Sequence, residues 1–295
     1  MPDVLLIDTY SLFFRAFHAL PRMNTTTGEP TQALYGFSML LLKLLREHAP
    51  RGLSFALDAP QRTFRHERFD GYKGTRPRIP NDLALQLGRL DELLEAMGAP
   101  SLCVPGYEAD DLIASLSRRL EGEGVPTLVV SGDRDLLQLA SSSTRILFVG
   151  ARGKKPQLYD VAAVRERFGV GPELLPSFTA LVGDASDNLP GVPGIGPGTA
   201  KKLLQQWPGM AELTQNMASI SNQRIAEALR GRTAQLLQVE ELARLHTDVP
   251  LGPGPLFTLP DHAAWQRLRE LFEALEFKSL LQRVEQLAER DVAPA

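Results

Sequence analysis

Carboxylates fall in short, separate groups along this chain: Asp8, Asp58, then Glu108, Asp110 and Asp111 in Tyr107-Glu-Ala-Asp-Asp, Asp133 and Asp135 in Ser131-Gly-Asp-Arg-Asp, and Asp184 and Asp187 in Gly183-Asp-Ala-Ser-Asp-Asn188. Glu108 and Asp111 stand three residues apart and share one helix face, as do Asp184 and Asp187 if their segment is helical. Like charges held this close repel, and a protein tolerates them when cations or raised pKa values neutralise them. Every donor is a hard oxygen with no His or Cys interleaved, which favours Mg²⁺ or Mn²⁺ over Zn²⁺. Magnesium keeps much of its water, so such a site can use more acids than direct ligands. Two ions about 4 Å apart activate a water and stabilise a leaving oxygen in phosphoryl transfer. Phosphodiester hydrolysis is the reaction such a set would perform.

Each group also has a plainer reading. Glu108, Asp110 and Asp111 open a helix, where acids are favoured by the helix dipole, and Asp133 suits a cap or turn. What favours a site is where the acids fall relative to the elements that carry them. Val4-Leu5-Leu6-Ile7 is a short continuous apolar run ending on Asp8, Leu53 to Leu57 ends on Asp58, and Thr127 to Val130 runs into Ser131-Gly132-Asp133. Such runs suit parallel strands covered on both faces. Arg145 to Val149 reads as a further strand. Between them lie amphipathic helices at Gln32 to Glu47, Asn81 to Met97 and Glu108 to Leu120. Strand alternating with helix predicts an α/β domain with a mainly parallel central sheet flanked by helices. In such sheets the ligand crevice lies beyond the carboxyl ends of the strands, where parallel neighbours would bring Asp8, Asp58 and Asp133 together.

After about residue 160 the strands fade. Val161 to Phe168, Leu174 to Val182, Thr199 to Trp207, Ser221 to His246 and Ala263 to Ala288 read as helices. The division expected is an α/β core over residues 1–160, including a basic segment at about 61–80, and a helical region over 161–295.

Residues 61–78 form a long connection, Gln-Arg-Thr-Phe-Arg-His-Glu-Arg-Phe-Asp-Gly-Tyr-Lys-Gly-Thr-Arg-Pro-Arg, basic and interleaved with aromatics. A solvated loop is the default for such a run. Leaving the carboxyl edge of the sheet beside Asp58, it reads instead as a mobile loop that grips phosphates, with Phe64 and Phe69 as packing residues. A second basic feature is Leu189-Pro-Gly-Val-Pro-Gly-Ile-Gly-Pro-Gly198, leading into Thr199-Ala-Lys-Lys-Leu-Leu. Helix, glycine-rich turn, helix is the form of a hairpin whose backbone N–H groups and lysines hold duplex phosphates. Its glycine spacing fails G-x-G-x-x-G and no Walker motif occurs, so nucleotide hydrolysis loses its support.

The net charge of −3, from 32 Lys and Arg against 35 Asp and Glu, does not exclude nucleic acid, because carboxylates that share divalent cations present little negative charge to a substrate. With 43% hydrophobic and 23% charged residues the chain is an ordinary globular protein. The single cysteine, Cys103, allows no internal disulfide and is read as buried packing in a reducing cytosol. No apolar stretch approaches a membrane span, so a cytoplasmic protein is expected.

In this order, Leu6-Ile-Asp-Thr, Gly28-Glu-Pro, Tyr35-Gly-Phe, Phe64-Arg-His-Glu, Tyr72-Lys-Gly-Thr-Arg76, Val104 to Asp111 and Gly183 to Gly196 closely resemble the 5′ nuclease (flap endonuclease) family, as found in the 5′-3′ exonuclease domain of bacterial DNA polymerase I. Leu275-Glu-Phe-Lys-Ser-Leu-Leu281 is similar to the join into the rest of that polymerase. The resemblance implies a PIN-like 5′ nuclease core and a helix-three-turn-helix at about 178–207. It implies that Asp8, Asp58, Glu108, Asp110, Asp111, Asp133, Asp135, Asp184 and Asp187 are the metal-binding acids, for two or more Mg²⁺ that Mn²⁺ can replace. It makes Lys73, Arg76 and Asp111 catalytic, with Lys73 and Arg76 on a flexible arch. DNA contacts would come from Arg65, Lys73, Arg76, Gly191, Gly194, Gly196, Lys201 and Lys202, with K⁺ held at the turn by backbone carbonyls. Arg134 stands where the family usually has lysine, and Thr9 replaces the common glycine after the first Asp.

The implied activity is structure-specific cleavage of branched, nicked or flapped DNA and RNA–DNA junctions in primer removal and repair, by a nucleoid-associated monomer working beside a DNA polymerase. Two alternatives are a PIN-type ribonuclease, usually smaller, and a non-catalytic branch-binding module, which would have lost acids. A phosphatase with a nucleophilic aspartate would want a second acid at position 10, where Tyr10 stands.

Overall fold

The structure is a computed structural model and describes residues 3–150 and 153–292. Among these residues one six-stranded sheet runs in the order β3-β2-β1-β4-β5-β6, where β1 is Val4–Asp8, β2 Gly52–Ala56, β3 Ser101–Leu102, β4 Thr127–Ser131, β5 Thr144–Phe148 and β6 Gln157–Tyr159. All neighbours are parallel except β5 and β6, which form an antiparallel hairpin. The expected α/β architecture with a mainly parallel sheet is therefore present. β3 and β6 escaped the pattern because two and three residues are too few to establish a period.

β1, β2 and β4 are buried along their whole length, so each needs apolar side chains on both faces. Val4 and Leu6 point into one core with Leu112, Leu116 and Val129, while Leu5 and Ile7 point into the other with Phe37, Phe55 and Leu128. The first core lies beneath the Ala109–Gly122 helix and most of the helical half. The second is covered by the helices Thr9–Ala19, Gln32–His48 and Asn81–Met97, and also by the two last helices, His262–Ala274 and Lys278–Val292, through Trp265, Leu268, Phe272, Leu280 and Val284. The chain thus returns to the sheet after leaving it. Phe257 packs on Gly52, and Thr258 exchanges two backbone hydrogen bonds with Leu53.

Two long helical readings divide. Residues 221–246 form Gln223–Leu229 and Thr233–Ala243, separated at Gly231, whose φ of +73° is incompatible with a continuing helix. Residues 263–288 break at Glu276, φ +60°, where the Phe277 amide reaches back to the Phe272 carbonyl in a helix C-cap. Residues 185–188 are a turn closed by a bridge between Asp184 and Leu189, so Asp184 and Asp187 do not share a helix face. Cys103 is exposed, because the chain beyond the short β3 lies at the sheet's edge. Among the described residues, no helix is long and apolar enough to cross a membrane.

Candidate metal centre and nucleic-acid interface

Adjacency of β2, β1 and β4 brings their three carboxyl ends together. Asp8 closes β1, Asp58 lies two residues past β2 and Asp133 two past β4. Together with Asp110 in the first turn of the Ala109–Gly122 helix, they line a cleft of about 510 Å³ that also receives Lys73, Arg76, Tyr10, Phe14, Arg15 and His18. Asp58 also accepts the Ala109 amide at 2.8 Å, so it caps the helix that carries Glu108 and Asp110 into place. Capping and convergence are both real here, and the first produces the second.

Asp8 is 6% exposed and accepts a short hydrogen bond from the Ser131 hydroxyl. Burial, followed by the neighbouring charges of Asp133 and Asp58 and opposed by Ser131, pushes its pKa up to about 7. Burial also raises Asp110 well above the carboxylate range, with Asp111 adding repulsion. Asp133 and Asp135 are raised by burial as well; Asp187 repels both, and Asp133 repels Asp135. These acids are crowded enough to hold protons when no other cation is at hand.

The remaining acids are engaged by protein donors. Glu108 accepts from Lys73 Nζ at 2.7 Å, Tyr72 Oη at 2.9 Å and Arg65 at 3.1 Å. Asp187 accepts from Arg76 at 2.8 Å and lies 2.8 Å from Tyr72 Oη, whose single hydrogen it shares with Glu108. Asp184 folds its own turn by accepting from the Ser186 amide and hydroxyl, both at 2.6 Å. With these contacts in place, no group of three or more His, Cys, Asp or Glu side chains among the described residues is arranged to hold an ion as it stands. The Lys73 ammonium is buried, which disfavours its charge, yet Glu108 and then Asp187 hold its proton more tightly than usual.

Two expected site residues lie elsewhere. Asp111 is 0% exposed, and both its oxygens are taken by Arg65 at 2.6 and 2.8 Å, by the His246 amide at 2.9 Å and by the Glu108 amide at 3.3 Å. It does not face the cleft. Arg65, expected to touch DNA, is only 1% exposed and donates also to the carbonyls of Leu242 and Arg244. The pair pins the end of the Thr233–Ala243 helix beneath the cleft, so neither side chain is available to metal or nucleic acid. For the same reason residues 63–73 are not a loose loop: Phe64–Arg68 is a short helix, and Thr63, Arg65 and Tyr72 are buried. Residues 74–80 are exposed, though Arg76 reaches back to Asp187. Thr9 is buried, with its hydroxyl on the Ile7 carbonyl at 3.4 Å.

Tyr72, which spans Glu108 and Asp187, was missed as a site residue because a tyrosine inside a basic run carries no spacing signal. Tyr10, Phe14 and His18 were findable, standing four residues apart on the helix that follows Asp8.

In the glycine turn the three expected glycines differ. Gly191 and Gly183 cross backbone against backbone, leaving no room for a Cβ on either. Asp184 and Leu189 exchange hydrogen bonds across the same crossing. Gly194 takes φ +85° and Gly196 precedes the Pro197–Gln206 helix. Both are exposed, and among the described residues their amides have no hydrogen-bond acceptor. Lys201 and Lys202, on that helix, are exposed as well.

Residues 3–169 match the family model described as "5′-3′ exonuclease, N-terminal resolvase-like domain", and residues 170–257 match "5′-3′ exonuclease, C-terminal SAM fold". DNA polymerase I of Mycobacterium tuberculosis (strain CDC 1551 / Oshkosh) is 40% identical over 289 residues, which is 96% of this chain and 31% of that protein. The thermostable DNA polymerase I of Thermus aquaticus is 40% identical over 278 residues, 94% of this chain and 32% of that protein. The chain therefore spans about a third of the length of these curated relatives. A solved structure of T5 5′-exonuclease with bound divalent metal ions (zinc) has a TM-score of 0.67 at 19% identity, covering 97% of this chain and 99% of that one. The catalytic core of Rad2 in complex with DNA substrate has a TM-score of 0.61 at 16% identity, covering 97% and 92%. At those identities the two structures establish the fold.

Proposed function

The chain belongs to the 5′-3′ exonuclease family, and from that premise we propose that it is a magnesium-dependent, structure-specific 5′ nuclease that hydrolyses the backbone of flapped, nicked or branched DNA. The observation that carries this reading is the convergence of Asp8, Asp58, Asp110 and Asp133, from four separate segments, on one cleft beside Lys73 and Arg76. Their donors are oxygens alone, which suits Mg²⁺, or Mn²⁺ in its place. Buried acids that otherwise keep protons against mutual repulsion are what a divalent cation would relieve. Glu108 joins this set, and Asp133, Asp135, Asp184 and Asp187 make a second position; Asp111 is left out. When bound, two such cations supply an activated water and stabilisation of the leaving oxygen.

The chain's own groups do the rest. Lys73 and Arg76, released from Glu108 and Asp187 by a phosphate, neutralise charge that builds on it during attack. Products carry a 5′ phosphate and a 3′ hydroxyl. The hairpin formed by Leu175–Val182 and Pro197–Gln206 holds the duplex through the amides of Gly194 and Gly196 and through Lys201 and Lys202, with K⁺ on the turn's carbonyls. Residues 1–160 supply most of the chemistry, and the helical region 161–295 adds Asp184, Asp187 and the grip on the duplex, together with a DNA polymerase in primer removal and repair at the nucleoid.

The test is a 5′-labelled flap incubated with the whole chain in chelator, Mg²⁺ or Mn²⁺, beside an Asp8→Asn variant. Cleavage near the junction that needs the metal and is lost in the variant is expected. Tight flap binding with no cleavage in any metal would instead make the chain a branch-binding module.

A further inference from the structure

The ladder between β1 and β4 stops at Ile7 opposite Val130, so Asp8 and Ser131 are the next pair across it. Paired positions on neighbouring strands put their side chains on the same face of the sheet. Ser131 is 0% exposed, and its carbonyl accepts the Val149 amide at 2.8 Å, which keeps its backbone in the sheet. The hydroxyl is used twice. It accepts the Asp133 amide at 2.8 Å and donates its one hydrogen to Asp8 Oδ2.

The pattern repeats one step on. Asp133 Oδ1 accepts the Asp135 amide at 2.9 Å, so residues 131, 133 and 135 make two successive turns, each closed by a side-chain oxygen on the amide two residues ahead. The Thr9–Ala19 helix, which follows Asp8, braces the same loop. Ser11 Oγ accepts the Gly132 amide at 3.2 Å, and Arg15 donates to the Gly132 carbonyl at 2.6 Å. A Cβ at position 132 would displace that guanidinium. Asp8, Asp133 and Asp135 are thus tied into one piece, with the Ser131 hydroxyl at the joint. Local turn-making explains only half of this. A serine that closes a turn needs the amide two residues on, and the bond to Asp8, 123 positions away, does nothing for the turn.

We infer that Ser131 is a positioning residue for the metal centre: it holds Oδ2 of Asp8, leaving the other oxygen to the cation, and sets Asp8 against the loop that carries Asp133 and Asp135. It does not itself touch metal or substrate. A carboxylate free to turn about its Cβ–Cγ bond has to be ordered at the moment of binding, and that cost falls on metal affinity rather than on the chemical step once the metal is in place. The inference rests on the nuclease reading given above.

The experiment titrates Mn²⁺ into the whole chain without DNA, by calorimetry, for the parent, Ser131→Ala and Ser54→Ala. Ser54 is the control: it is also buried, on β2, and its hydroxyl has no hydrogen-bond partner among the described residues. Ser131→Ala is expected to bind Mn²⁺ about tenfold more weakly, and Ser54→Ala to match the parent. On a labelled flap, the Mg²⁺ needed for half-maximal cleavage should rise by the same factor in Ser131→Ala, while the rate at saturating Mg²⁺ stays within about threefold of the parent's. If Ser131→Ala does not fold, Ser131→Cys keeps the volume and offers only a weak donor, and the same loss of affinity is expected of it. Parental Mn²⁺ affinity in the Ser131 variant, an equal loss in Ser54→Ala, or a fall in the saturated rate with affinity unchanged would overturn the inference. A parent that binds Mn²⁺ but does not cut in Mg²⁺ sinks the nuclease reading, and the affinity comparison still decides the role of Ser131.

Discussion

Arg65 and Asp111 meet in parallel, two N–H groups on two oxygens at 2.6 and 2.8 Å, with neither side chain reaching solvent. Burial disfavours the Arg65 charge, but the hydrogen bonds and charge of Asp111 hold its proton above the ordinary value. Removing one partner of a buried pair strands the other, which costs about 3 to 5 kcal/mol. Asp111→Asn and Arg65→Met are each expected to lower the unfolding free energy in urea by about that amount, and the double variant by less than the sum. If Asp111→Asn kept parental stability and lost only cleavage, Asp111 would return to the metal set.

Proton binding gives a second prediction. Asp8 keeps its proton to about pH 7 in the folded chain, against an ordinary value of 3.8. Unfolding therefore releases a proton between those values, and the metal-free chain loses stability as pH rises through that window. Asp110, Asp133 and Asp135 are shifted the same way. In chelator the thermal midpoint should fall from about pH 5 to about pH 8, less steeply in Asp8→Asn, and Mg²⁺ should restore it at the upper end. A midpoint that rises over that range would contradict the crowding of these acids.

Lys73 sits 2.7 Å from Glu108, holding the acid as a cation would. Lys73→Ala should therefore act in two opposed ways: Glu108 is freed for metal, so less Mg²⁺ is needed for half-saturation, while the single-turnover rate on a flap at saturating Mg²⁺ falls about a hundredfold. A rate unchanged at saturation would remove Lys73 from the chemistry.

The sheet and the convergence of Asp8, Asp58 and Asp133 were legible because continuous apolar runs can be read locally and parallel order follows from them. The fate of Asp111 was not. Its spacing from Glu108 is the same whether it faces a cleft or an arginine, and that arginine lies 46 positions away in a segment whose composition resembles a solvated loop. The same limit hid the break at Glu276, where a non-glycine residue takes φ +60°, and the short β3 and β6. The glycine turn was legible as a turn, but the division of its glycines between Gly191 for backbone crossing and Gly194 for conformation depends on the backbone of Val182 and Gly183 that Gly191 crosses.

Thr258 lies along β2 just where the two-residue β3 has not yet begun, and it occupies both backbone groups of Leu53 that would otherwise face outward. An open sheet margin invites pairing with another polypeptide. The segment that leaves the helical half thus acts as a selvedge for the strand beside Asp8. Cutting the gene at the end of the sheet would yield a body with one raw border and an uncovered apolar back, prone to stick to its own copies before any catalytic defect could be observed.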